Sequence, residues 1–261
     1  MTAQRFAPGI IGVCLTVLVP IAIAAQGQGA AAPGRGNPNP LRTITKTIYT
    51  PKTEFYAVYR PYVVGQEGRL SAHLTRITDR FEAYPVNTNV TLRLTIGGMT
   101  IEKPAMTERS GVFFFLFTPT VAGTGTATVT LTTPQGPERF VVENITVEPD
   151  LQTAIAHQAP AASNEGIVRF SKENGWDGRF ATAAVGKVAV APGKTATLAV
   201  PRGAVVDVDG QPNVYVQRDP EAFYLRPIKI GEGNDKYVAV TDGVREGDRI
   251  VTIGVEKLPR K

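Results

Sequence analysis

The sequence predicts an all-β protein in two parts, a sandwich followed by a smaller β-rich domain. Three observations carry this. Apolar residues recur at every second position in several runs, Gly and Pro punctuate those runs at short intervals, and no heptad pattern or internal repeat is present. Hydrophobic residues make up 43% of the 261 residues, enough to build cores, so the chain is not of the disordered class.

The amino end reads as a leader. Arg5 precedes an apolar stretch from Ile10 to Ala25 that closes on Ala22-Ile23-Ala24, the small-residue spacing of a secretory signal peptide, assigned to residues 1–25. The alternative is an uncleaved anchor helix, against which Pro20 and the modest length count. Cys14, the only cysteine, lies in this stretch, so a mature chain without it has no thiol chemistry. Residues 26–42 are Gly-, Ala-, Pro-, Asn- and Gln-rich and read as a flexible tether.

Strand patterning then sets in. Leu70, Ala72 and Leu74 alternate with Ser71, His73 and Thr75. Val90 to Ile96 and Ala127 to Leu131 alternate with threonines and Arg93. Phe113 to Phe117 is apolar on both faces and is expected as a central strand covered on both sides. Seven or eight short strands within about a hundred residues predict an Ig-like sandwich over 43–148. Residues 149–165 form a linker with room for one short connecting helix, and residues 166–261 form the second domain. There, Ser171 to Asn174 reads as a cap and one helical turn leading to Trp176. Val205–Val208, Asp209-Gly210 and Val214–Gln217 read as a hairpin, and Leu225–Ile230, Tyr237–Val240 and Arg249–Ile253 as further strands.

Chemistry is sparse. His73, placed on the polar face of its strand, and His157 are the only histidines, and neither has a second ligand at metal spacing. Met99 and Met106 fit one hairpin, but two thioethers without a third ligand read as packing. Asp207, Asp209, Asp242 and Asp248 flank turns, and no nucleophile, metalloprotease or phosphate-loop motif occurs. The chain is therefore expected to be no enzyme, with no catalytic, cofactor-binding or metal residues. The net charge of +5 is spread along the chain, which argues against nucleic acid as a partner.

The second domain carries a resemblance. Phe170-Ser171-Lys172-Glu173-Asn174-Gly175-Trp176 with Phe180-Ala181-Thr182, then Val200-Pro201-Arg202-Gly203-Ala204-Val205, then Gly243-Val244-Arg245-Glu246-Gly247-Asp248 resemble periplasmic adaptors. These are the membrane fusion proteins of RND-type (resistance-nodulation-division) efflux pumps, heavy-metal branch. Pro61 to Glu67 resembles the Ig-like module that precedes some of them.

The resemblance implies that residues 166–261 are a membrane-proximal-like adaptor domain, with Phe170, Lys172, Glu173, Trp176, Phe180, Pro201, Gly243 and Gly247 as structural or docking residues. Lys172 and Glu173 read by themselves as a cap and a surface pair, and Trp176 with Phe180 as domain core. Only about twenty residues separate Thr182 from Pro201, too few for the lipoyl, β-barrel and hairpin parts of full adaptors. The implied protein is a shortened periplasmic adaptor subunit, or an accessory one, in metal ion export and transmembrane transport. It docks on an inner-membrane efflux transporter or a full-length adaptor, with the loops near Arg226, Lys229 and Lys236 as contacts. The alternative is a stand-alone periplasmic Ig-like binding module of unknown ligand.

Overall fold

The computed structural model describes residues 39–259. The leader and residues 26–38 of the tether lie outside the described residues. The first eleven strands are β1 (Ile44–Tyr49), β2 (Thr53–Tyr59), β3 (Tyr62–Val63), β4 (Gly68–Ile77), β5 (Phe81–Ala83), β6 (Val90–Ile96), β7 (Met99–Pro104), β8 (Met106–Arg109), β9 (Val112–Phe117), β10 (Gly123–Thr133) and β11 (Gly136–Glu148). They form two sheets, in the orders β1-β2-β4-β9-β8, with β5 on β4, and β3-β11-β10-β6-β7. All their pairings are antiparallel except β3 with β11. Strict alternation puts Val90, Leu92, Leu94 and Ile96 of β6 and Ala127, Val129 and Leu131 of β10 into one core with Phe55, Leu70, Leu74, Phe113 and Phe115 of the other sheet.

Three expectations fail here. Phe113 to Phe117 is not covered on both faces: only its alternate residues Phe113, Phe115 and Phe117 enter the core. Phe114 and Leu116 are only half-buried, and the Arg69 guanidinium lies 4.1 Å over the Phe114 ring. In these two sheets β2 is buried on both faces, Thr53 through Ala57 being all buried. Met99 and Met106 share no hairpin, since β7 and β8 belong to different sheets. Leu41, read as tether, packs instead with Val63, Leu151 and Ala154.

A short helix, α1 (Leu151–Ala156), follows the sandwich, its N-cap Asp150 accepting from Thr153 N at 2.8 Å. The carboxy-terminal module then runs β12 (Ile167–Arg169), α2 (Lys172–Asp177), β13 (Ala181–Ala184), β14 (Gly186–Val188), β15 (Thr197–Pro201), β16 (Val206–Val208), β17 (Gln211–Asp219), β18 (Ala222–Pro227), β19 (Lys229–Gly233), β20 (Tyr237–Asp242) and β21 (Arg249–Ile253). One sheet has the order β12-β18-β17-β21-β13, with β16 on β17, and the other the order β14-β15-β20-β19. The early strands β12 and β13 thus close the two edges of a sheet whose middle comes from the late strands.

The Asp209-Gly210 hairpin turn has positive φ at both residues, 54° and 77°, which the right-handed twist of the flanking strands favours. The run from Leu225 to Ile230 is not one strand. It breaks at a corner after Pro227, where Ile228 is buried and its N–H bonds Pro212 O at 2.9 Å, so β18 and β19 enter different sheets.

Candidate functional site

The most developed polar constellation joins the carboxy-terminal module to the outer face of the first sheet. Because side chains alternate along β2 and β4, Phe55 and Leu74 enter the sandwich core while Glu54, Tyr56, His73 and Thr75 face outward. Glu54 and Thr75 are register partners, as are Tyr56 and His73, so these four form one patch.

Helix α2 lies against this patch. Ser171 caps it, accepting from Asn174 N at 3.3 Å, and Glu221 Oε1 accepts from Lys172 N at 3.0 Å. Burial, opposed by the bond from Lys172 N, raises the carboxyl pKa of Glu221.

Lys172 is not the surface residue expected. Its side chain is 5% exposed and its Nζ pairs with Glu54 Oε1, itself 1% exposed. Glu54 also accepts from Tyr49 OH at 2.7 Å and from Thr75 Oγ1 at 3.1 Å. Gln217 Nε2 donates to Tyr49 OH at 2.7 Å, and the Arg249 guanidinium sits 3.8 Å over the Tyr49 ring. Burial and then the Glu54 carboxylate push the Tyr49 phenol far above its ordinary value, so it stays a donor.

Trp176 is a joint residue rather than core of its own module. Its Nε1 donates to Thr75 Oγ1 at 3.0 Å, and its ring covers Gly111, where a Cβ would stand 2.5 Å from it. Phe180 turns the other way, into the module core with Phe170 at 4.8 Å and Phe223 at 5.4 Å, because the helix ends at Gly178 and Arg179 takes φ 54°. Glu173 reaches across to Arg109 at 3.0 Å, and Phe81 N donates to Phe180 O at 3.2 Å.

His73, expected on a wet face, lies under α2, 6.3 Å from the Trp176 ring, with Nδ1 buried and unpartnered. Burial lowers its pKa to about 4. Lys172 and Arg109 push the same way, against Glu173 and Glu54.

This arrangement holds the two surfaces together through a buried ion pair and its hydrogen bonds. Among the described residues no group of three or more His, Cys, Asp or Glu is placed to hold a metal ion. His157 is engaged elsewhere, with Glu148 at 3.2 Å. Also among the described residues, no helix is long and apolar enough to cross a membrane.

Residues 198–255 match the family model of the CzcB C-terminal circularly permuted SH3-like domain. No curated protein and no solved structure matches the chain. The matched stretch holds β15 from its second residue through β21. Within this CzcB-like stretch Pro201 ends β15 opposite Tyr237, and the following Arg202 N bonds Lys236 O at 3.0 Å. Gly243 (φ 103°) sits where a Cβ would stand 2.4 Å from Pro227 O, so it allows the Pro227 corner to close. Gly247 (φ 90°) turns the chain so that its N–H bonds Val185 O at 2.9 Å. Asp248 accepts from Arg226 Nη1 at 2.7 Å and Arg245 N at 3.1 Å, and Asp207 Oδ1 from Gly210 N at 3.0 Å. These acids serve turns.

The eight motif residues therefore occupy three places: Lys172, Glu173 and Trp176 at the joint, Phe170 and Phe180 in the core, and Pro201, Gly243 and Gly247 at turns and a strand end. Sequence reasoning missed Glu54, Thr75, Tyr49, Gln217, Arg109 and Gly111. One signal existed. Phe55 to Tyr59 is an unbroken apolar run beside a single carboxylate, as a strand covered on both faces requires.

Proposed function

We propose that the chain is a non-enzymatic periplasmic adaptor or accessory subunit of an RND-type metal-cation efflux system, acting by docking on an inner-membrane transporter or a full-length adaptor. The match of residues 198–255 to the CzcB C-terminal domain is the observation that carries this reading. The pairing of β12 with β18 and of β13 with β21 supports it, because the motif from Phe170 to Phe180 then belongs to the same module as the matched stretch. Residues 185–196 hold only β14 and turns before β15, which supports a shortened form whose reach across the periplasm is supplied by another subunit.

The test is affinity purification of the tagged chain from the envelope of its own bacterium after mild crosslinking, together with metal tolerance of a strain lacking it. Co-purification of an RND transporter or full-length adaptor, with lowered tolerance to divalent metal cations, is the expected result. Recovery of neither component, with unchanged tolerance, overturns the proposal.

A further inference from the structure

A cavity of about 290 Å³ opens where β2 passes into β3, lined among others by Tyr59, Arg60, Tyr62, Glu67, Arg69 and Ser71. Its walls are fixed. Tyr59 and Tyr62 stack at 5.9 Å with 16° between their planes. Tyr62 lies across Gly68, where a Cβ would stand 2.4 Å from its ring, so any larger residue would displace that wall. The loop after Tyr62 is pinned by Val64 N to Glu148 O at 3.0 Å and Gly65 N to Pro119 O at 2.9 Å.

The two cations in the lining differ. Arg69 is already engaged, with Glu108 at 2.9 Å, Ser71 at 3.0 Å and the Phe114 ring at 4.1 Å. Arg60 is not. Its Nε is buried without a hydrogen-bond partner, and among the described residues no hydrogen bond or ion pair takes up its guanidinium. A buried donor left unsatisfied costs about 1–3 kcal/mol, more when charged, and a ligand in the cavity that reached the Arg60 guanidinium would recover that cost. The guanidinium fork matches a planar carboxylate bidentately.

We propose that this cavity binds a small carboxylate through Arg60. The exposed Glu67 carboxylate in the lining opposes a second negative charge, which favours a monoanion over phosphate. The Tyr59 and Tyr62 rings and the side chain of Leu41 offer the body of the ligand an apolar wall. The volume lies at the lower end of the roughly 300–1,000 Å³ of small-molecule pockets, so the ligand is small. The site lies on the sandwich and does not depend on the adaptor reading.

Arginine Nε–H signals in ¹H–¹⁵N spectra of the full chain give the test, with benzoate, its neutral isostere benzamide, and inorganic phosphate as probes. Benzoate should shift saturably one Nε–H signal that is missing in Arg60→Gln, with benzamide and phosphate each about tenfold weaker or worse. No saturable shift, a shift that persists in Arg60→Gln, or equal binding of benzamide or phosphate overturns the assignment. The comparison of benzoate with benzamide on the unaltered chain decides the matter should Arg60→Gln fail to fold.

Discussion

Replacing Lys172 by Met removes one charge of the buried joint while keeping a long unbranched stem. Glu54, 1% exposed, then stays buried without its counter-charge. Removing one partner of a buried pair costs about 3–5 kcal/mol. The donors from Tyr49 at 2.7 Å and Thr75 at 3.1 Å remain in place, which puts the loss at the lower end, about 3 kcal/mol. For a unit of this size that lowers Tm by about 6–12 °C. In the double variant Lys172→Met with Glu54→Gln the stranded charge is gone, so it should recover about 1–2 kcal/mol of the single loss. Trp176 is the only tryptophan and lies in the joint, so its emission in a urea titration reports the joint while far-ultraviolet circular dichroism reports the strands. A loss under about 1 kcal/mol, or a double variant in which the two single losses simply add, refutes the claim that this pair holds the modules together.

Acid should loosen the same joint through His73. Its pKa falls from 6.5 unfolded to about 4 folded, so between those values the unfolded chain takes up the proton and the folded chain does not. The contribution is therefore complete above pH 6.5 and is lost as pH falls toward about 4, by up to about 3 kcal/mol. Unfolding titrations of the chain and of His73→Gln from pH 7 to about pH 4 should diverge in slope over that window, the variant being flatter. Two glycine substitutions should act in opposite directions. Gly175→Ala, whose Cβ would meet Phe180 at an ordinary 3.7 Å, should stabilise α2 by about 0.5–1 kcal/mol. Gly111→Ala, with φ 79° and a Cβ 2.5 Å from the Trp176 ring, should destabilise by more than about 1 kcal/mol and shift Trp176 emission, both read in the same urea titration.

What the sequence discloses here is local, and what it hides is contact across distance. The alternation of β6 and β10 is a property of seven to eleven consecutive residues and survives into the fold because one face of each strand is buried. The Asp209-Gly210 turn and the Ser171 cap are legible for the same reason, each being decided by its neighbours in the chain. Lys172 and Glu54 are 118 residues apart, and each alone looks like an ordinary surface charge. Only the burial of β2 on its second face turns them into a pair. The expectation for Phe113 to Phe117 failed for the complementary reason: nothing local in an apolar run says whether its second face meets another layer, and here Phe114 lies under the Arg69 guanidinium and stays half-buried.

The joint also constrains how the carboxy-terminal module can meet a partner. Lys172 and Trp176, two of the residues whose pattern resembles the adaptor motif, are here bonded to Glu54 and Thr75 of the same chain. A partner that needed those side chains would first have to break a buried ion pair, at a cost of several kcal/mol that a modest interface does not return. Arg226, expected at a contact loop, is likewise held, by Asp248 at 2.7 Å and over the Tyr224 ring at 4.8 Å. Lys229 pairs with Asp242 at 3.2 Å in an exposed setting, where such pairs are worth little and exchange readily. Lys229 begins β19, an edge strand exposed along its whole length with Ile230 47% exposed. If the module docks as proposed, the β19 edge is less costly to cover than the α2 face, which the sandwich already occupies.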